Sequence, residues 1–491
     1  MKILNNHKIL LILAILYVLV QCFTLSYQPL PWFDETYFAS IAENFIRTGL
    51  LTPRVAVFEE VKIYGFVYFF CTGLSMKILG MSIWSFRIVN FCAGLGCLWI
   101  ITQLSKNSTN NSPFKNLLLI SLIALDPFFN LSLHEGRMDL TALFFMLVAY
   151  NFMYKQNKCP SYQHYLYSGV CITLACLTTP RVAVLGLGLT ASVFLRIGFW
   201  KKSTLYALLG LGFSFWLLYS GWIMYAFGGY VPFVNYYLRP TFEVNSGTMA
   251  ELFLGGNFYI PKQEYALICS GLVMLGIHIF RNPRILGDAW ILISILNTGL
   301  FYVLVRDYGP YSIFILPFYY LLIFRVLCFE RLGFKNPIVY ILMGLFLHHA
   351  AYFTLKNLQT FASFSQRDYT TLDDFIQKHI PSQSRVVGEP MFFYAVRKTN
   401  SDFQYMDIFE SLEAREVRQR EKYKYQYLVV SDHLLWRKPE IVAYYLKQAK
   451  LRRIARLEIP ISYLSQKINA LGLLSNTERT GYNCTIYKHL P

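Results

Sequence analysis

ILLILAILYVLVQCF (residues 9–23) is followed at once by TLSYQPLPWFDETYF (residues 24–38). The first stretch carries no charge and comes after Lys2, His7 and Lys8, with no small-residue cleavage site behind it. It reads as an uncleaved membrane helix with its N-terminus inside. The second stretch sets two adjacent carboxylates, Asp34 and Glu35, just beyond that helix and beside Trp32 and Phe33. Phe38, Ile41, Ala42, Phe45 and Ile46 then share one helical face, with Glu43 and Arg47 off it, up to Gly49. That spacing predicts an amphipathic helix ended by glycine.

The rest of the chain repeats the apolar theme. Of 491 residues, 55% are apolar, 17% aromatic and only 15% charged, against about 25% charged in a typical soluble domain. This excludes a disordered chain, a collagen-like chain and an ordinary cytosolic enzyme. A net charge of +17 would suggest nucleic acid in a soluble protein. Here most Lys and Arg fall in short loops between apolar stretches, so no nucleic-acid partner is expected. The ten Cys form no CxxC pair or metal-spaced cluster, which argues against a disulfide framework or a structural zinc site.

Further spans fit 86–104, 116–133, 140–154, 164–180, 182–199, 204–226, 264–280, 286–305, 308–327 and 337–355, making about eleven of roughly the length needed to cross hydrocarbon. The stretch 63–80 is ambiguous. Reading it as interfacial places every strongly basic short loop on one side, as the positive-inside bias favours. The segments 28–85, 134–139 and 228–263 then lie outside, with the tail beyond 356. In that tail charges cluster, and short strand-like runs (385–388, 427–431, 483–487) alternate with helical patterns such as Glu440–Gln448. The fold class expected is a polytopic α-helical membrane protein, residues 1–355, with a C-terminal soluble α/β domain, 356–491.

Paired carboxylates at a membrane surface suit general-base work, because burial beside aromatic rings raises a carboxylate pKa toward a useful value. The alternative role for Asp34 is capping the amphipathic helix. A second constellation is His134-Glu-Gly-Arg-Met-Asp139, with four ionisable groups between apolar helices. Arg137 has the planar fork of donors that suits phosphate, and Asp139 could cap the next span. Asp34, Glu135 and Asp139 could hold a divalent metal, and His134 could join them, although no ligand spacing indicates one. Arg181 and Arg306 end spans on the outer side against the charge bias, and Lys62 and Arg54 add cations in the first outer loop. Convergent cations bind anionic lipid head groups; singly, they are ordinary interfacial anchors. No phosphate-binding glycine loop, HExxH or GxSxG occurs.

Trp32-Phe-Asp-Glu-Thr-Tyr-Phe, His134-Glu-Gly-Arg-Met-Asp139, Thr179-Pro-Arg181 and Arg306-Asp-Tyr-Gly-Pro310, in that order, resemble the protein O-mannosyltransferase and aminoarabinose-transferase-like (ArnT-like) group of GT-C membrane glycosyltransferases. The likeness covers about residues 9–330. It implies a polyprenyl- or dolichyl-phosphate sugar donor and inverting transfer on the outer face. It also implies Asp34 as base with Glu35 beside it, Asp139 as the second-loop acid, and Lys62, Arg181 and Arg306 as cations for the donor phosphate. The proline pair that commonly follows the Lys62 position is absent, and the Arg181 position often carries Lys.

The expected function is therefore sugar transfer from a polyprenyl-phosphate donor to a lipid, glycan or protein acceptor. The expected setting is a bacterial inner membrane, with the N-terminus cytoplasmic and the C-terminal domain extracytoplasmic. A lipid-phosphate-processing enzyme is the nearest enzymatic alternative. A transporter or flippase of lipid-linked sugars would instead place charges near mid-span, where only Asp126 partly qualifies.

Overall fold

The computed structural model describes residues 2–55, 61, 64–106, 113–154, 161–197, 202–235, 265–281, 288–304, 310–330, 335–406, 424–448, 450–470 and 481–490. Among the described residues, the first part has these α-helices: α1 Lys2–Thr24, α2 Phe33–Thr48, α3 Val67–Leu79, α4 Ile83–Lys106, α5 Pro113–Leu125, α6 Pro127–His134, α7 Asp139–Tyr154, α8 Tyr162–Cys176, α9 Ala183–Ile197, α10 Lys202–Phe227, α11 Tyr265–Arg281, α12 Ala289–Leu304, α13 Leu316–Phe329 and α14 Pro337–Ala362. Among the described residues, three helical stretches are long and apolar enough to cross a membrane: Ile83–Lys106, Leu205–Phe227 and Pro337–Ala362. A bent pair, α5 with α6, makes a fourth. The other expected spans, that at 164–180 apart, correspond to shorter apolar helices, several of which adjoin residues outside the described set. The 13 residues of α3 rise only about 20 Å at 1.5 Å each, short of the ~30 Å of hydrocarbon.

Two elements depart from the sequence reading for clear reasons. The expected span 116–133 is not one helix, because it bends by 58° between α5 and α6. Pro127 has no N–H with which to continue α5. Asp126 instead caps α6, accepting from the Phe128 and Phe129 amides at 2.9 and 2.8 Å. Its second oxygen accepts from the Tyr320 hydroxyl at 2.7 Å, which lies 2.9 Å from His349 Nε2. This buried group is thus fully engaged in local structure. The last span, expected at 337–355, runs on through Ala362.

Among the described residues the C-terminal part holds five strands, β1 Arg385–Gly388, β2 Asp402–Tyr405, β3 Tyr427–Ser431, β4 Leu451–Leu457 and β5 Cys484–His489, in the order β2-β1-β3-β5-β4. β1 pairs parallel with β2 and β3, and β5 antiparallel with β3 and β4. β3 is buried at every position, as its run of apolar residues dictates. β4 forms an edge with Arg452, Arg453 and Arg456 along it, the charged character that keeps an edge from pairing further. Around the sheet lie α15 Tyr369–His379, α16 Phe393–Lys398, α17 Asp432–Arg437, α18 Pro439–Gln448 and α19 Tyr463–Ala470.

One apolar core fills the helical bundle. A second core joins the two parts: Phe38, Ile41 and Ala42 of α2 and Tyr68 and Phe69 of α3 pack with Leu372, Phe393, Tyr394 and Phe403. α2 is therefore an amphipathic helix, as its spacing predicts, but its apolar face is covered largely by protein. Gly49 closes it at φ 76°, returning its amide to the Phe45 carbonyl at 2.8 Å. That left-handed geometry favours glycine.

Candidate active site

The residue that opens α2 outside its first turn is Trp32, which makes no side-chain cap bond. Asp34 is the second residue inside the helix, so the capping role does not apply to it. Its side chain turns instead to the loop between α6 and α7. There Arg137 donates through Nη1 to Asp34 Oδ2 and through Nε to Asp139 Oδ2, the latter at 2.9 Å. One guanidinium thus bridges two carboxylates. Asp34 keeps 34% of its side chain exposed, while Arg137 and Asp139 keep 6% and 5%. Of the three, Asp34 is the group a substrate can reach.

Burial pushes the Asp34 pKa above the ordinary carboxylate range. Arg137 and Arg181 pull it down and Asp139 pushes it up, leaving a net rise. Glu135 is driven up to about 7 by burial, opposed chiefly by Arg137. Both shifts are desolvation effects only partly offset by nearby cations.

The two neighbouring acids point to different places. Glu35 is fully buried and accepts from Arg87 Nε at 2.8 Å and Nη2 at 2.7 Å. Arg87 spends its remaining donors on the carbonyls of Leu25, Gln28 and Pro29, at 2.8, 3.1 and 2.8 Å. All five guanidinium hydrogens are used. This one side chain fastens α4, the α1–α2 connection and α2 together. Glu35 is thus placed in the scaffold behind Asp34 rather than at the opening.

The loop that presents Arg137 is held by Asn90 of α4, which donates through Nδ2 to the carbonyls of Glu135, at 2.7 Å, and Arg137. Its Oδ1 accepts from the Thr141 hydroxyl at 2.8 Å. His134 faces away from Asp34: Nδ1 lies 2.8 Å from the Asn130 carbonyl and Nε2 3.1 Å from Thr24 Oγ1. Gly136 is required by close approach. A Cβ there would sit 2.3 Å from a Phe86 ring carbon and 2.7 Å from Glu35 Cγ, and both neighbours are fully buried. Gly136→Ala is expected to cost about 1–3 kcal/mol through overpacking. Thermal unfolding in detergent measures it, and an unchanged Tm would contradict this packing.

Aromatic rings complete the site. The Arg137 guanidinium carbon lies 5.5 Å from the Trp32 ring centroid and 5.3 Å from that of Tyr311. Arg181 lies 4.0 Å from the Tyr311 centroid and also donates to its hydroxyl. Tyr311 therefore stands between two cations, in a stacking arrangement that favours guanidinium. Arg181 sits in the short helical turn Pro180–Val182 and Tyr311 in the turn Pro310–Phe314.

The chain matches the sequence profile of the family described as dolichyl-phosphate-mannose-protein mannosyltransferase over residues 64–222. No curated protein matches it in sequence. Among solved structures, ArnT from Cupriavidus metallidurans in the apo state is similar with a TM-score of 0.60 at 12% identity, covering 99% of this chain and 98% of that one. The same protein bound to undecaprenyl phosphate gives 0.58 at 12% identity, with the same coverage. The chain shares the fold of ArnT. The arabinofuranosyltransferase AftD from Mycobacteria is also similar, with a TM-score of 0.50 at 13% identity over 98% of this chain but 41% of that one.

Within this fold the site gathers Asp34, the neighbouring Arg137 and Asp139, and Arg181 from three distant parts of the sequence. Lys62 and Arg306, expected to bind phosphate, lie outside the described residues, as does most of 228–263. The metal option does not fit. Among the described residues no group of three or more His, Cys, Asp or Glu could hold an ion, and a guanidinium already stands between Asp34 and Asp139. Sequence reasoning missed Tyr311 and Arg87. Tyr311 directly follows the Arg306–Pro310 motif, but nothing singles it out among 36 tyrosines.

Proposed function

We propose that this chain is an inverting membrane glycosyltransferase that moves a sugar from a polyprenyl-phosphate donor to an acceptor hydroxyl on the outer face. The observation that carries the reading is Asp34: a half-open carboxylate with a raised pKa, fixed by Arg137 at the start of the helix that follows the first apolar helix. Asp34 takes the proton of the acceptor hydroxyl as that oxygen attacks the anomeric carbon. The bond from that carbon to the phosphate oxygen breaks in the same step, and the lipid phosphate leaves with the electron pair. Arg181, and Arg137 behind it, stabilise the charge that develops on the phosphate. Phosphate is already a good leaving group, so no dedicated acid is required.

One of the similar ArnT structures is bound to undecaprenyl phosphate, and the same class of lipid is proposed as donor carrier here. The proposal includes a bacterial inner membrane, a cytoplasmic N-terminus, and a division into a membrane unit, 1–355, and an extracytoplasmic α/β unit, 356–491. Lys62 and Arg306 are proposed as further phosphate contacts. The proposed acceptor is a lipid, glycan or protein hydroxyl.

Purified protein in nanodiscs, given a panel of radiolabelled polyprenyl-phosphate sugars with membrane extract as acceptor source, tests the reading. Transfer from one donor supports it and names the sugar. Binding of donors without transfer to any acceptor fraction would favour the transporter reading.

A further inference from the structure

The turn of helix that carries Asp34 is gripped from outside the bundle. Tyr405, the last residue of β2, points its hydroxyl at Thr36 Oγ1, 2.7 Å away, and at the Phe33 carbonyl, 3.2 Å away. Each hydroxyl has one hydrogen, so one bond joins the pair and the oxygen that accepts it donates on to a backbone carbonyl, Thr36 to Trp32 at 3.1 Å or Tyr405 to Phe33. The residues engaged, Trp32, Phe33 and Thr36, bracket Asp34. The Tyr405 ring lies 5.0 Å from that of Phe33, and its amide donates to the Val55 carbonyl at 2.9 Å. Farther along α2, Tyr394 reaches Glu35 Oε1 at 3.5 Å and Arg397 donates to Glu43 Oε2 at 3.0 Å.

This grip matters because α2 begins without a side-chain cap. The first turn of a helix is its least constrained part, since its amides have no partners within the helix. A base must be held close to its working geometry, and misplacement of about 1 Å costs on the order of a hundredfold in rate. The buried ring of Tyr405 accounts for packing with Phe33 and Phe403. Its hydroxyl adds nothing to that apolar contact and is spent wholly on the turn around Asp34.

We propose that Tyr405 is a positioning residue for Asp34, through which the C-terminal α/β unit fixes the first turn of α2 against Arg137. The inference rests on the reading of Asp34 as base. It gives the C-terminal unit a part in the chemistry without contact with the reacting atoms.

The test compares wild type, Tyr405→Phe, Thr36→Val, their double variant and Asp34→Asn, all as full-length chains in nanodiscs with the donor that supports transfer. Tyr405→Phe keeps the ring and removes the hydroxyl. Its kcat is expected to fall about tenfold, within the effect of a sub-ångström displacement, with unchanged donor KM and Tm. The acid limb of its pH–rate profile is expected to move to higher pH. The groups facing Asp34 are Arg137 from the loop, Asp139 from α7, Arg181 from the Pro180–Val182 turn and Tyr405 from β2. A looser turn weakens the Arg137 contact, which holds the pKa down. Thr36→Val, which breaks the same link from its other end, is expected to do the same, and the double variant to add nothing further. A kcat loss with an unmoved acid limb, or one that tracks a fall in Tm, would reduce Tyr405 to packing and overturn the inference. So would wild-type kinetics in Tyr405→Phe while Asp34→Asn is inactive. An active Asp34→Asn would overturn the base reading and this inference with it.

Discussion

Asp34→Asn is expected to lower the rate of sugar transfer about a thousandfold, within the span general-base groups contribute. Asparagine keeps the shape of the side chain and an oxygen for the Arg137 hydrogen bond, but cannot take a proton. It also removes one negative charge from a site proposed to receive an anionic phosphate. Donor binding is therefore not expected to weaken, and the loss should fall on kcat. In wild type the rate should drop as pH falls through a value above the ordinary carboxylate range, because burial lifts the Asp34 pKa beyond what Arg137 takes back. The base works ionised, so activity is present above that pKa and lost below it. Asp139→Asn supplies the sign test. It removes the carboxylate that pushes the Asp34 pKa up and leaves Arg137 to pair with Asp34 alone. The acid limb should move to lower pH. Steady-state pH–rate profiles with the preferred donor check both variants. A wild-type rate in Asp34→Asn would end the assignment.

The sequence carries the parts of this site that are local. A charge-free run followed by an acidic pair is visible in a short window, and so is the apolar face of α2, because a helix repeats every 3.6 residues. The pairing of Asp34 with Arg137 is not local: the residues stand 103 positions apart, and it depends on distant contacts such as the Asn90 clamp on the Arg137 loop. Arg87 looks like the edge of an apolar span, since a hydropathy window cannot show that five acceptors converge on it. β2 escapes notice because Asp-Phe-Gln-Tyr is too short to show alternation, and β4 because an edge strand carries arginines where a central one carries valines. The small β2 is nevertheless the element that delivers Tyr405 to the helix that carries Asp34.

Glu35 and Arg87 provide the largest stability effect. Arg87→Met is expected to cost about 3–5 kcal/mol, the range for removing one partner of a buried ion pair. The Glu35 carboxylate would be left in a site with no accessible surface, and three carbonyls would lose their donor. Glu35→Gln should be milder, because Arg87 keeps its three carbonyl partners and the amide oxygen still accepts one bond. A variant with both changes should lose less than the sum of the two, since the second removes a charge that the first left unpaired. Thermal unfolding in detergent, run as a double-mutant cycle, reads these differences. Kinetics separate the roles of the two adjacent acids. Glu35→Gln protein that remains folded should keep kcat within about threefold of wild type, well short of the hundredfold or more that a base contributes. A loss as deep as that of Asp34→Asn, at wild-type Tm, would move Glu35 from the scaffold into the reaction.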